Sequence, residues 1–200
     1  FYAKCAILIE GETEYGCIQA FSEKIGVSLD ESGICVINAC GEGSIKPTRQ
    51  LLALFGIPSI AIYDGDVKPV STTDPNNFYT TEPCFEIEIV KALFSSGHQE
   101  LVRQIARDLD AQSDTVELDA NFVRKGFNKM GIDIAGYVPT KLSDIDNDDE
   151  ATFCKMYSAW FMAKKGVLLG RIIGDSILKN DIPECYCNAI KKAEEVARSV

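Results

Sequence analysis

The chain has 200 residues, of which 46% are hydrophobic and 25% are charged, and its formal net charge is −10. This composition is ordinary for a soluble globular protein, and no apolar run reaches the roughly 18 residues needed to span a bilayer, so we expect no membrane partner. An acidic balance also argues against a nucleic-acid-binding surface, unless the carboxylates hold cations and so reverse the local field.

The cysteine pattern bears on metal binding and on the cellular compartment, and the first residues bear on whether the chain is part of a longer protein. The eight cysteines show no CxxC spacing and His98 is the only histidine, so we do not expect zinc. We interpret the cysteines as reduced thiols of a cytoplasmic protein. The chain begins at Phe1 without a methionine or a targeting segment, and we therefore expect it to be a fragment of a longer protein.

The first 66 residues alternate between strand and helix patterns. Strands are predicted at 2–9, 33–39 and 59–63, and helices at 12–25 and 45–55. Short apolar strands separated by amphipathic helices are typical of a parallel sheet with helices on both faces. The predicted fold class is therefore α/β.

The remainder of the chain is predicted to be mostly helical. A loop rich in Pro, Thr, Asp and Asn covers 67–81. The helices that follow are predicted at 85–94, 98–109, 120–130, 151–165, 167–178 and 183–199.

Acidic residues follow the first and third predicted strands. Glu10 ends the first strand, and Asp64 and Asp66 end the third, where a period of two in an extended strand places both on one side. The carboxyl ends of parallel strands share one edge of a sheet, and Glu14, one turn into the first helix, can point back toward it. Converging carboxylates repel one another unless they are protonated or bridged by cations. Oxygen ligands without histidine favour Mg²⁺ or Mn²⁺.

Each acidic motif also has a simpler interpretation. EGxxE alone is typical of a solvated helix start, where acidic side chains suit the first turn, and DGD alone is commonly a turn. Their order at the ends of two strands favours a shared metal site over either interpretation.

These motifs resemble the Toprim domain, which topoisomerases, bacterial primases, recombination proteins and the OLD (overcoming lysogenization defect) nucleases share. The resemblance rests on Glu10-Gly11 with Glu14 and on Asp64-Gly65-Asp66. The sequence of this region is most similar to the OLD branch, which includes Gabija-type nuclease subunits. The similar segments are ILIEGETEY and VSLDESGICVINACGEGSIKPTRQLLALFGIPSIAIYDGD. The similarity is dense over 3–66 and resumes at FEIEIV, at KKG and at IPECYCNAI.

The resemblance implies a Toprim (Rossmann-like) fold and a metal-dependent DNA endonuclease that hydrolyses phosphodiester bonds with two divalent ions, Mg²⁺ or Mn²⁺. Lys165 would neutralise charge on the phosphate and join Glu10, Glu14, Asp64 and Asp66 in catalysis. The metal ligands implied by the family pattern are Glu10, Glu14, Asp64, Asp66 and Glu86.

The resemblance also implies how the chain is organised. Residues 1–97 would form the Toprim catalytic core, and the helical extension 98–200 would complete the nuclease site. An ATPase domain would precede this region, ATP would act only through that domain, and two copies could form a homodimer through it. The implied pathways are phage defence and DNA repair.

Several alternatives remain open from the sequence. Glu88 could be the metal ligand in place of Glu86, and Lys164 could be the phosphate-contacting lysine in place of Lys165. In addition, Glu42 stands where many relatives carry lysine, so a phosphate contact there is not expected. The acidic run 144–149 lacks the glycine of a calcium loop, and we expect a solvated loop. The functional alternatives are a topoisomerase-like or primase-like Toprim module and a non-catalytic, DNA-associated interaction domain.

Overall fold

The computed structural model describes residues 3–67, 74–113, 119–133, 138, 141–145 and 149–199. Within these ranges, one sheet of four parallel strands has the order β2-β1-β3-β4. The strands are β1 (Cys5–Ile9), β2 (Ile34–Asn38), β3 (Ser59–Tyr63) and β4 (Asn77–Tyr79). The helices are α1 (Glu12–Ile25), α2 (Leu29–Ser32), α3 (Glu42–Leu54), α4 (Phe85–Ser95), α5 (Gln99–Gln112), α6 (Ala120–Lys129), α7 (Glu150–Ala163), α8 (Val167–Ser176) and α9 (Glu184–Ser199). The predicted α/β class, a parallel sheet flanked by helices, is confirmed.

Strand β1 lies in the interior of the sheet, and every residue of it is buried. Cys5, Ile7 and Ile9 face the core that contains α1 and α9, while Ala6 and Leu8 face the smaller core beneath α3. Because both faces are covered, the strand is continuously apolar. Its carboxyl end lies beside that of β3, with Leu8 opposite Ala61, so the residues that follow the two strands meet.

The end of β3 differs from the sequence prediction. The strand stops at Tyr63, and Gly65–Val67 forms a turn of 3-10 helix. Asp66 therefore does not continue an extended strand beside Asp64, and the period-two argument for this pair was wrong. A Cβ on Gly65 would lie 2.3 Å from the Glu82 carbonyl oxygen, so only glycine lets the two backbones approach this closely.

Strand β4 lies inside the segment predicted as a loop, of which residues 68–73 are outside the described residues. It has three residues, too few for a periodic pattern to show. It pairs with β3 in register, and the rings of Tyr63 and Tyr79 stack with centroids 5.2 Å apart.

Most helix boundaries agree with the prediction, and α1 matches it at both ends. The prediction placed the start of α3 three residues too late, because its first turn contains the weak helix formers Gly43 and Ser44. Helix α2 was not predicted; it is a single turn that Ser28 caps by accepting a hydrogen bond from the Glu31 N–H.

Helix α7 ends at Ala163 and not at residue 165. Lys164 and Lys165 therefore lie in the turn before α8, which passes through Gly166 at φ 148°. The side chains of the two lysines leave this turn in different environments.

The remaining expectations concern the cysteines, a membrane span, the acidic run and the start of the first strand. All eight cysteines are free. None of the described helices is long and apolar enough to cross a membrane. Residues 146–148 of the acidic run lie outside the described residues, as does the predicted strand residue Tyr2.

Candidate metal and catalytic site

Glu10 leaves the end of β1 and ties it to the end of β3. Its Oε2 accepts a hydrogen bond of 3.3 Å from the Asp64 N–H, and its backbone oxygen accepts one of 2.8 Å from the Gly41 N–H. Partial burial raises the pKa of Glu10 above its ordinary value, and the charges of Asp66 and Glu42 add to the effect. The carboxylate is thus held at the sheet edge among other acids.

Glu14 lies in the first turn of α1 and is only 6% exposed. The glycine at position 11 leaves room for the Glu14 carboxylate, since a Cβ on Gly11 would lie 2.7 Å from Glu14 Oε2. Burial and the nearby Glu86 raise the pKa of Glu14 from 4.5 to about 7. A buried carboxyl with this pKa exchanges its proton near neutral pH.

Asp64 follows β3 and faces the start of α4. Its Oδ1 accepts a hydrogen bond of 3.1 Å from the Phe85 N–H, at the positive end of that helix. Burial, Glu14 and Glu86 raise the pKa of Asp64 well above its ordinary value. Asp66 is exposed in the turn beyond, with its backbone N–H bonded to the Pro83 oxygen at 3.3 Å.

Glu86, in the first turn of α4, is the most deeply buried acid of the cluster, at 1% exposed. Its Oε1 accepts a hydrogen bond of 2.9 Å from the Thr13 hydroxyl. Its Oε2 has no hydrogen-bond partner of good geometry among the described residues, and the Lys165 Nζ lies 3.2 Å away. Glu88 is turned elsewhere, and its Oε2 accepts from the Glu82 N–H at 2.6 Å.

The two lysines before Gly166 have different partners. Lys165 pairs with Glu86 and keeps 39% of its side chain exposed, whereas Lys164 is 7% exposed, pairs with Asp110 and lies 4.7 Å from the Trp160 ring centroid. Partial burial alone would lower the pKa of Lys165, but Glu86 and the neighbouring acids raise it above its ordinary value. Lys165 is therefore a permanent cation beside the carboxylates.

Sequence reasoning missed Thr13, which touches Glu86. Thr13 lies between two glutamates of the EGETE motif and looks like any polar residue at a helix start. A signal was present in the four-residue spacing of Gly166, Gly170 and Gly174, which indicates close helix packing. That packing brings α8 against the Thr13 backbone.

The acidic cluster has the chemistry of a divalent-cation site. Burial and like charge raise the pKa of Glu10, Glu14 and Asp64, so the folded chain resists ionising them together. In the described part of the chain, however, no group of three or more His, Cys, Asp or Glu side chains is arranged to hold a metal ion as it stands. The all-oxygen ligand set and the buried Glu86 Oε2 fit Mg²⁺ or Mn²⁺, with side-chain adjustment needed to close the site.

An open parallel sheet with an EGxxE motif that runs from the end of one strand into the following helix, and with aspartates after the neighbouring strand, defines the Toprim class of domain. The family model described as "Overcoming lysogenization defect protein-like, TOPRIM domain" matches residues 1–66. Over these residues, the resemblance to an OLD-like Toprim domain that was seen in the sequence is confirmed. Toprim domains generally bind divalent metals and act on nucleic acids.

Solved structures with a similar fold cover the whole chain. The C-terminal region of the Burkholderia pseudomallei OLD protein has a TM-score of 0.61 and 16% identity, covering 98% of this chain and 100% of that one. The C-terminal region of the Xanthomonas campestris pv. campestris OLD protein has a TM-score of 0.64 and 16% identity, covering 100% of this chain and 96% of that one. No curated protein matches this chain. At this identity the likeness establishes the fold.

Proposed function

We propose that this chain is the catalytic region of a metal-dependent DNA endonuclease of the OLD type. The observation that supports it best is the cluster formed by the buried Glu14 and Glu86 and the half-buried Asp64, whose charges act on one another, with Lys165 as the adjoining cation. A fold gains no stability from mutually repelling acids in its interior, so their presence beside a cation suggests a binding function.

The metal ions would be two Mg²⁺ or Mn²⁺ ions. When bound, they would supply a nucleophilic water and stabilise the leaving oxygen. The residues that would hold the two ions between them are Glu10, Glu14, Asp64, Asp66 and Glu86. Of these, Asp66 is the exposed member at the solvent side, where a phosphodiester backbone could approach.

Lys165 would act on the substrate and not on the metal. An ammonium group cannot ligate a cation, but it can stabilise negative charge that develops on a phosphate. Its side chain is partly exposed, while its Nζ stays 3.2 Å from Glu86 Oε2. Lys164 is committed to Asp110 and to Trp160 and would contribute only to stability.

The wider setting belongs to the same proposal. DNA would be the substrate, an N-terminal ATPase domain of the same protein would bind ATP, and that domain could mediate a homodimer. The protein would act in the cytoplasm, in phage defence or DNA repair. Residues 1–97 would form the catalytic core, with 98–200 completing the site through Lys165.

Cleavage of supercoiled plasmid with Mg²⁺ or Mn²⁺ tests the proposal. We expect nicked or linear product from the wild-type chain and none from Glu10→Ala or Asp64→Ala. Glu88→Gln is the matched control, because Glu88 lies on the same helix as Glu86 but hydrogen-bonds the Glu82 backbone instead. It should cut at the wild-type rate.

Three outcomes would count against the proposal or a part of it. Relaxation of supercoils without net cutting would favour a topoisomerase-like module. Equal cleavage by wild type and Asp64→Ala would remove that residue from the site. Millimolar Mn²⁺ should also raise the melting temperature, since an ion that binds only the folded state stabilises it, and an unchanged value would argue against a metal site.

A further inference from the structure

Thr13 connects the acidic cluster to the turn that carries Lys165. It is 1% exposed, and its hydroxyl oxygen lies 2.9 Å from Glu86 Oε1 and 3.2 Å from the Gly166 nitrogen. Gly166 directly follows Lys165, whose Nζ is 3.2 Å from the other Glu86 oxygen. A closed set of contacts therefore joins α1, α4 and the turn before α8.

The direction of each hydrogen bond follows from the available protons. The Gly166 N–H can only donate, so the Thr13 hydroxyl accepts from it and gives its own proton to Glu86 Oε1. The hydroxyl thus satisfies one backbone donor and one buried carboxylate oxygen. An isosteric valine would leave the half-buried Gly166 N–H without this acceptor and the buried Glu86 Oε1 without this donor, and the loss at the buried carboxylate is costly.

Close helix packing holds Thr13 in this place. A Cβ on Gly170 would lie 1.9 Å from the Thr13 carbonyl oxygen, and one on Gly16 would lie 2.4 Å from the Val167 carbonyl oxygen. The backbones of α1 and α8 are therefore in direct contact at this point. Thr13 cannot move away from the start of α8 without separating the two helices.

We propose that Thr13 is a positioning residue, which fixes the Glu86 carboxylate relative to the Lys165 turn. It orients Glu86 through one hydrogen bond and anchors Gly166 through the other. Its importance for metal loading rests on the proposed function, whereas its coupling to Glu86 does not. Residues that orient a metal ligand typically change metal affinity about 10- to 100-fold when they are replaced.

The coupling is measured by a double-mutant cycle on the full chain, using Thr13→Val and the near-isosteric Glu86→Met. Urea unfolding of the four proteins without metal should give a coupling of about tenfold or more in the unfolding equilibrium constant, about 1.4 kcal/mol. Additive effects of the two substitutions would overturn the proposal. This result is decided whether or not the chain cuts DNA.

Mn²⁺ titration by calorimetry separates positioning from general stability. Thr13→Val should bind Mn²⁺ about 10- to 100-fold more weakly, and Thr13→Ser, which restores the hydroxyl, should stay close to wild type. Val102→Ala is the control, since it removes buried volume on α5 and leaves the hydrogen bond between Thr13 and Glu86 itself unchanged, and it should bind like wild type.

Equal loss in Thr13→Ser, equal loss in Val102→Ala, or no loss in Thr13→Val would overturn the proposal. Absence of Mn²⁺ binding by the wild-type chain would refute the proposed function instead. In that case the unfolding cycle alone would decide whether Thr13 positions Glu86.

Discussion

Replacing Glu14 by glutamine should change how the stability of the metal-free chain depends on pH. Burial and Glu86 raise the pKa of Glu14 from 4.5 to about 7, so the folded chain binds this proton more tightly than the unfolded chain does. The stabilisation is therefore complete below about pH 4.5 and is lost as the pH rises through about 7.

The size of the effect follows from the same two values. The interval from 4.5 to about 7 corresponds to about 3 kcal/mol of unfolding free energy. For a chain of this length, that equals about 6 to 12 °C in melting temperature. Glutamine cannot ionise and keeps nearly the same shape, so Glu14→Gln should lose this part of the pH dependence.

Thermal melts in EDTA at about pH 5, 6, 7 and 8 measure the effect. Wild type should lose stability across this range more steeply than Glu14→Gln. Glu12→Gln is the control, because Glu12 belongs to the same motif but is exposed, and its melts should follow wild type. Parallel curves for wild type and Glu14→Gln would refute the reasoning, because the Glu14 proton would then not be held by the fold.

Three further predictions concern the surroundings of the site. Gly170→Ala should lower the melting temperature by about 10 °C or more, because its Cβ would strike the backbone of α1. Gly43→Ala is the control, since its Cβ meets nothing within 4 Å, and equal melting temperatures for the two variants would refute the close packing. Lys165→Ala should cost about two to four orders of magnitude in plasmid cleavage rate, whereas Lys164→Ala should mainly reduce stability, and the reverse pattern would reassign the role. Gly11→Ala should weaken Mn²⁺ binding in a calorimetric titration, because its Cβ would lie 2.7 Å from a cluster carboxylate, and unchanged affinity would contradict this geometry.

The sequence predicted the part of the site that depends on strand order. Glu10 and Asp64 each follow an apolar strand, and parallel strands place their carboxyl ends at one edge, so their proximity follows from local pattern and topology. Asp66 was predicted on the wrong geometry, since the chain turns at Gly65 because of a close backbone approach from residues distant in sequence.

The rest of the site depends on tertiary packing that no local pattern contains. Glu86 comes from a helix beyond a long loop, and only family resemblance favoured it over Glu88. The choice between Lys165 and Lys164 depends on where α7 ends, which sequence periodicity placed two residues too late. Thr13 acquires its contacts only when α8 packs against α1.

Anomalous diffraction from crystals of the chain grown with Mn²⁺ tests the central claim most directly, because it locates the ions without relying on activity. We expect two Mn²⁺ peaks among the carboxylates of Glu10, Glu14, Asp64, Asp66 and Glu86, with the Glu86 Oε2 as one ligand. A crystal grown in saturating Mn²⁺ with no peak at these side chains, or with Mn²⁺ bound only elsewhere on the chain, would contradict it.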